Sequence, residues 1–260
     1  MTMSPDVAAR VAPAGAYPAV SERLASRGAI HHLDVVDTVE VTPRMRRVRL
    51  SGAGVADLRH RPGQSLILVL PQADGSTAAR HYTIRAIDAA ARLMSIDFVL
   101  HGDTPANRWI RAARAGDRIS AVGPRGRVVL NPRAPHHLFC ADETGLPAVL
   151  SMLEALPEEA RAEAFIEVAT ADEIQPVATA AKADIAWLVR EPGARPGAAV
   201  TARVAAYAPS GRLHAYLVGE TGEVRAQRHS LLANGLDKPN ISAEGYWRPG
   251  RVGGHDHVED

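Results

Sequence analysis

The stretch "NPRAPHHLFCADETGLPAVLSMLEAL", residues 131–156, divides this chain into two rhythms. It opens on prolines in a polar run, passes through a short apolar strand, turns at Gly145 and continues as an apolar pattern of helical length. Upstream, from His31, short β runs separated by turn residues follow one another: "HLDVVDTVEV", "RRVRLSG", "SLILVL", "RHYTIRAID", "RLMSIDFVLHG" and "DRISAVGP". Six strands at that spacing predict a small antiparallel barrel, interrupted by one helix at "TPANRWIRAARAG". Downstream, "EAFIEVATA", "DIAWLVR", "RLHAYLVGE" and "EVRAQRHSLLAN" alternate strand with helix, which predicts a parallel sheet covered on both faces. The expected organisation is an Ala- and Pro-rich arm over 1–28, a barrel over 29–132 and an α/β domain over 133–260 that ends in the tail "HDHVED".

A length of 260 residues suits two cores. Lys and Arg number 30 against 29 Asp and Glu, so no overall field draws in nucleic acid or an anionic membrane, and any electrostatic function is local. No window approaches the ~18 apolar residues of a membrane span, so membrane insertion is not expected. The N-terminal residues do not read as a signal peptide, and the single cysteine, Cys140, cannot form an internal disulfide; a cytoplasmic monomer or weak dimer is expected. Cys140 reads as a small buried hydrophobe. The pairs His31–His32 and His136–His137 are poor chelators, because neighbouring strand side chains point to opposite faces.

In "HGDTPANRWI", the polar pair Asp103 and Thr104 stands where a helix N-cap is wanted and Pro105 follows at the first helical position. The amides of Ala106, Asn107 and Arg108, with the positive dipole end, then offer an anion site; an ordinary capped helix is the plainer alternative. On the strand "RHYTIR", Arg80 and Tyr82 project to one face, His81 and Thr83 to the other. A guanidinium beside a helix N-terminus is suited to a diphosphate, and a tyrosine to stacking; a solvated arginine and a rim tyrosine are the alternative. Gly145 and Gly219 each end an apolar strand before a helix, the construction that places a helix N-terminus beyond the carboxyl end of a parallel strand. Arg225 and Arg228, three apart on the last helix, are expected to share a face that suits a 2′-phosphate, or else to be solvated or paired with Glu223.

Six ordered motifs together resemble the siderophore-interacting proteins, flavin- and nicotinamide-dependent ferric-siderophore reductases with a ferredoxin-reductase-like fold: "RHYTIRAID", "IDFVLHGDTPANRW", "AGDRISAVGPRG", "ADETGLPAVLSMLEALP", "VGETGEVRAQRHSL" and "GYWRPG". The resemblance implies a bound FAD, with Arg80 on its diphosphate, Tyr82 on the isoalloxazine and Thr83 near its N5. His81, Asp97, Val99, His101, Gly102 and the helix opening at Thr104, Ala106 and Asn107 would complete the cradle. It further implies an NADPH (or NADH) site at Asp142, Glu143, Thr144, Gly145, Glu220, Arg225 and Arg228. Tyr246 and Trp247 would cover the flavin or pack the C-terminus onto the barrel. Arg125 and Arg248 would attract an anionic ferric siderophore, with no catalytic base and no resident metal. Ile67 stands where family members commonly carry a lysine, which keeps two alternatives open: a reductase of another acceptor such as a ferredoxin, free flavin or quinone, or a binding module without turnover.

Overall fold

The computed structural model describes residues 16–251 and 256–258. The first fifteen residues of the arm, and residues 255, 259 and 260 of the "HDHVED" tail, therefore lie outside the described residues. A short helix, α1 (Glu22–Ala25), precedes the strands β1 (Ile30–Thr42), β2 (Met45–Ser51), β3 (Ser65–Pro71), β4 (Thr77–Thr83), β5 (Ala86–Asp88), β6 (Leu93–Val99) and β7 (Arg118–Arg125), with helix α2 (Pro105–Ala112) between β6 and β7. Just before α1, the Tyr17 hydroxyl donates to the Asp34 carboxylate and the Arg118 guanidinium lies over its ring.

The strands form an antiparallel sheet in the order β4-β3-β7-β1-β2-β6-β5. Because β4 runs directly into β5, the chain itself joins the two ends of that order. The single strand expected over 80–88 is thus two, which raises the count from six to seven. The break falls where Thr83, Ile84 and Arg85 are buried in succession, ending the in-and-out alternation of a strand. Thr83 pairs with Ser65 on β3, the Ile84 amide donates to Gln64, and the Arg85 amide has already switched to Ser95 on β6. Leu66, Leu68, Ile84, Ile96, Phe98 and Trp109 fill the interior.

The second half comprises β8 (His136–Ala141), α3 (Leu146–Glu154), β9 (Arg161–Val168), β10 (Lys182–Val189), α4 (Ala198–Ala205), β11 (Leu213–Glu220), α5 (Thr221–Ala233), β12 (Ile241–Trp247) and β13 (Asp256–His257). The sheet order is β10-β9-β8-β11-β12-β13, with β8 to β12 parallel and β13 antiparallel to β12. Alternate residues of β8 supply two separate cores. Phe139 and Ala141 pack with α3, whereas Leu138 and Cys140 face the layer that holds Val200 and Val224 of α4 and α5. Burial on both faces is why these strands read as unbroken apolar runs. One residue of the tail, Val258, is buried in the second of these cores.

Strand order reverses between β8 and β11, and open α/β sheets bind ligands at the carboxyl edge beside such a reversal. Helix α3 packs back onto the barrel. The Gly63 amide donates to Ser151 Oγ, and Arg85 forms a two-pronged ion pair with Glu154. On the far side of the interface, Thr42 Oγ1 and the Arg44 amide both donate to the buried carboxylate of Glu173.

Candidate functional site

On the barrel, α2 begins as its sequence dictates. Thr104 has extended backbone, and its Oγ1 accepts the Asn107 amide at 3.2 Å. The Arg108 amide donates to the Thr104 carbonyl at 2.8 Å. Capping therefore consumes two of the three amides expected to be free and leaves that of Ala106, a residue that lines the opening. Asn107 ties the loop together instead of facing a ligand: its Nδ2 donates to the His101 carbonyl at 2.6 Å, while its buried Oδ1 lacks a partner. Gly102 supplies a φ of 56° in this loop and does not line the opening.

A cleft of about 210 Å3 lies between barrel and parallel sheet. From the barrel side it is walled by Arg80, His81, Tyr82, Thr83, Asp97 and Val99, with His101, Thr104 and Ala106 at the helix opening. The four residues of "RHYT" were expected on opposite faces, yet all reach the cleft, because β4 ends at the rim and turns there. Tyr82 packs on Phe98 with ring centroids 4.0 Å apart, and burial raises its pKa. Asp97 forms the floor; its carboxylate accepts Arg47 Nε at 2.6 Å and Nη2 at 2.8 Å, so it is spoken for by protein.

A second groove, of about 540 Å3, runs from Gln72 through Ala79 to Pro105 and Arg108. The two grooves share Arg80, and the opening of α2 borders both. Arg80 Nη1 donates to the neighbouring Ala79 carbonyl at 2.8 Å. A ligand in two halves joined by a diphosphate fits this arrangement: one compartment on each side of a guanidinium, with a helix N-terminus alongside.

The opposite wall of the cleft comes from the second sheet through Thr144, Pro147, Tyr246, Trp247 and Arg251. The hydroxyls of Tyr246 and Thr83 are hydrogen-bonded across the cleft, and burial raises the tyrosine's pKa. Tyr246 and Trp247 thus wall the cleft and fasten the C-terminal strand to the barrel at once. Asp142 sits beneath them. Its Oδ1 accepts the Thr144 amide and hydroxyl; its Oδ2 accepts the Glu220 amide at 2.8 Å and Trp247 Nε1 at 3.0 Å. Burial raises its pKa despite these donors. Asp142 therefore bridges the strand-order reversal as a structural tie, and it does not itself line the cleft. Glu143 is likewise ion-paired to Arg190, and Glu220 caps α5 by accepting the Glu223 amide at 2.9 Å. Gly145 brings α3 close to β11: a Cβ there would sit 2.5 Å from Val218 Cγ2.

Arg225 and Arg228 do not share an environment. Arg225 is exposed, while Arg228 is buried beside Lys238, Arg127 and Ser242 in a groove at the opposite end of β12. An offset of three residues turns 60° around a helix, and here the boundary between buried and solvated faces passes between them. Neither residue lines the cleft, and neither do Arg125 and Arg248. Ser65, Pro147 and Arg251 line it without having been singled out in the sequence. Ser65 was traceable, since it lies opposite Thr83 in the strand register; Arg251 stands in a Gly- and Pro-rich run with no pattern of its own. Among the described residues, no cluster of His, Cys, Asp and Glu is arranged to hold a metal, and no helix is long and apolar enough to cross a membrane.

Residues 71–128 match the family model for the siderophore-interacting FAD-binding domain, and residues 134–250 match that for the siderophore-interacting protein. A siderophore utilization protein from T. fusca superposes with a TM-score of 0.77 at 36% identity, over 86% of this chain and 94% of that one. The ferric vibriobactin reductase ViuB of Vibrio cholerae is 29% identical over 204 residues, 76% of this chain and 73% of its own. The fold extends to ferredoxin NADP+ reductase from Neisseria gonorrhoeae, at a TM-score of 0.66 and 14% identity, over 84% of this chain and 99% of that one. The cleft between a barrel and a parallel sheet, the paired grooves at Arg80 and the two adjoining family matches together make this chain a member of the siderophore-interacting protein family.

Proposed function

We propose that this chain is a flavoprotein reductase that passes electrons from NAD(P)H through FAD to the Fe(III) of a ferric siderophore, releasing Fe(II). The observation that carries the reading is the pair of grooves that meet at Arg80. FAD, when bound, would supply two-electron acceptance from a nicotinamide and one-electron delivery to iron. The chain's own residues have narrower tasks. Arg80 and the Ala106 amide hold the diphosphate, the Gln72–Ala79 hairpin and Arg108 border the adenosine half, and Tyr82, Thr83, Tyr246 and Trp247 enclose the flavin ring and exclude water from it. Thr144 and Pro147, at the opening of α3, border the path by which a nicotinamide reaches that ring. No side chain is asked to move a proton to the iron. Reduction assists release because oxygen-rich chelators hold the harder Fe(III) more strongly than Fe(II).

Arg251 at the cleft, with Arg125 and Arg248 outside it, would draw in the anionic chelate. A buried, unreactive Cys140 agrees with a reducing cytoplasm. One observation favours a second reading, reduction of another acceptor: Ile67 is 1% exposed and pairs with His81, so β3 presents no cation beside the cleft. Anaerobic titration of the FAD-loaded protein with NADPH and NADH, followed by ferric chelates, ferredoxin, free flavin and quinone, decides between them. Bleaching by NADPH and rapid reoxidation by a ferric chelate is the expected result. A flavin band that stays unbleached overturns the reductase reading, and reoxidation only by the other acceptors overturns the substrate.

A further inference from the structure

We infer that the Arg85–Glu154 ion pair is a positioning device that sets the separation of the two cleft walls, an inference that rests on reading the cleft as the flavin site. Arg85 lies two residues beyond Thr83, at the point where the chain leaves β3 for β6. Its side chain is 8% exposed. Nη1 donates to Glu154 Oε2 at 2.6 Å and Nη2 to Oε1 at 2.5 Å. On its other edge, Nε lies 3.7 Å from Asp97 Oδ2, too far for a hydrogen bond. Asp97 is itself gripped by Arg47 and forms the cleft floor. The guanidinium is therefore suspended between the barrel floor and the last residue of α3.

The same helix opens at the other wall. Pro147, in its first turn, lines the cleft, and Thr144 lies just ahead of it. Nine residues of helix span about 13 Å, so a shift at Glu154 is carried along a rigid rod to the wall a nicotinamide must approach. Thr83, at the other end of the linkage, is covalently two residues from Arg85. One ion pair thus joins the element that carries each wall. The Gly63–Ser151 hydrogen bond holds the middle of α3, and Thr179 Oγ1 donates to the Leu153 carbonyl at 2.6 Å near its end. Removing the Glu154 charge leaves a buried guanidinium with Asp97 alone, and the helix end tied to Thr179 through the Leu153 carbonyl but no longer to Arg85.

Two variants test this: Glu154→Gln, which keeps the shape, and Glu154→Asp, which keeps the charge and shortens the reach. In the cofactor-free protein, hydrogen exchange is expected to quicken together at α3 and at the Ile84 and Arg85 amides, and to stay unchanged in β11. In the FAD-loaded protein, FAD affinity is expected to hold while the limiting rate of anaerobic flavin bleaching at saturating NADPH falls about tenfold to a hundredfold, as for a misplacement near 1 Å. Glu154→Asp should show a smaller loss of the same kind. Variants that only lower the melting temperature, with exchange confined to α3 and the limiting rate unchanged, overturn the inference. If NADPH fails to bleach the wild-type flavin, the proposed function falls, and the paired exchange in the cofactor-free protein still decides whether the linkage exists.

Discussion

At the scale of single residues, Arg80 carries the most weight because its guanidinium is common to both grooves. Charge-assisted bonds contribute about 1.5–3 kcal/mol each, so Arg80→Ala is expected to weaken FAD binding roughly tenfold to a hundredfold in a fluorescence titration; unchanged affinity would contradict its role. Gly219 makes a different demand. Its φ is 144°, and a Cβ would lie 2.7 Å from Asp142 Oδ2, so Gly219→Ala combines backbone strain with disruption of the Asp142 tie. A loss of about 2–4 kcal/mol in urea unfolding is expected. His137 gives the pH dependence. It is 1% exposed, its Nδ1 meets the Tyr216 hydroxyl at 3.1 Å, and burial pushes its pKa down to about 4. The unfolded chain, with an ordinary imidazole, binds the proton first as pH falls, so stability drops between about pH 6.5 and pH 4 by about 3 kcal/mol from this group. In His137→Asn that share of the slope should vanish; an identical slope would assign the acid lability elsewhere. Arg80, Tyr82 and Thr83 are legible in the sequence because they cluster within one short strand. Arg85 belongs to the same stretch, "RHYTIRAID", but was not, since its meaning lies in Asp97 and Glu154, 12 and 69 residues away.

At the scale of elements, local chemistry decided what sequence could reveal. The start of α2 is written in Thr104 and Pro105, and the structure begins the helix there. Thr104→Ala is expected to cost about 1 kcal/mol in denaturant unfolding, the usual value of an N-cap, because the Asn107 amide and side chain both lose Oγ1. A cost near zero would mean that the Asn107–His101 bond alone maintains the loop. The break between β4 and β5 carries no turn residue, neither Gly nor Pro, so a pattern reader sees one strand over 80–88. Only the partners on either side, β3 and β6, disclose that the strand changes neighbour at Ile84. The same limit applies to α5. Spacing puts Arg225 and Arg228 near each other on the helix, but which face is buried depends on how α5 lies against α4 and β12.

At the scale of the whole molecule, the change of rhythm at Asn131–Pro135 separates an antiparallel barrel from a parallel sheet, and the candidate cleft lies where the two meet. That junction is also where the sequence is least informative, because the contacts Tyr246–Thr83 and Glu154–Arg85 each join residues far apart in the chain. The central claim is that a flavin dinucleotide lies along this junction with its diphosphate at Arg80. A crystal structure of the chain with FAD tests it most directly. The account predicts the isoalloxazine enclosed by Tyr82, Thr83, Tyr246 and Trp247, the diphosphate on Arg80 and the Ala106 amide, and the adenosine in the groove bordered by Gln72 and Arg108. FAD bound elsewhere, or a cleft that stays closed around the Tyr246–Thr83 contact at saturating FAD, would contradict it.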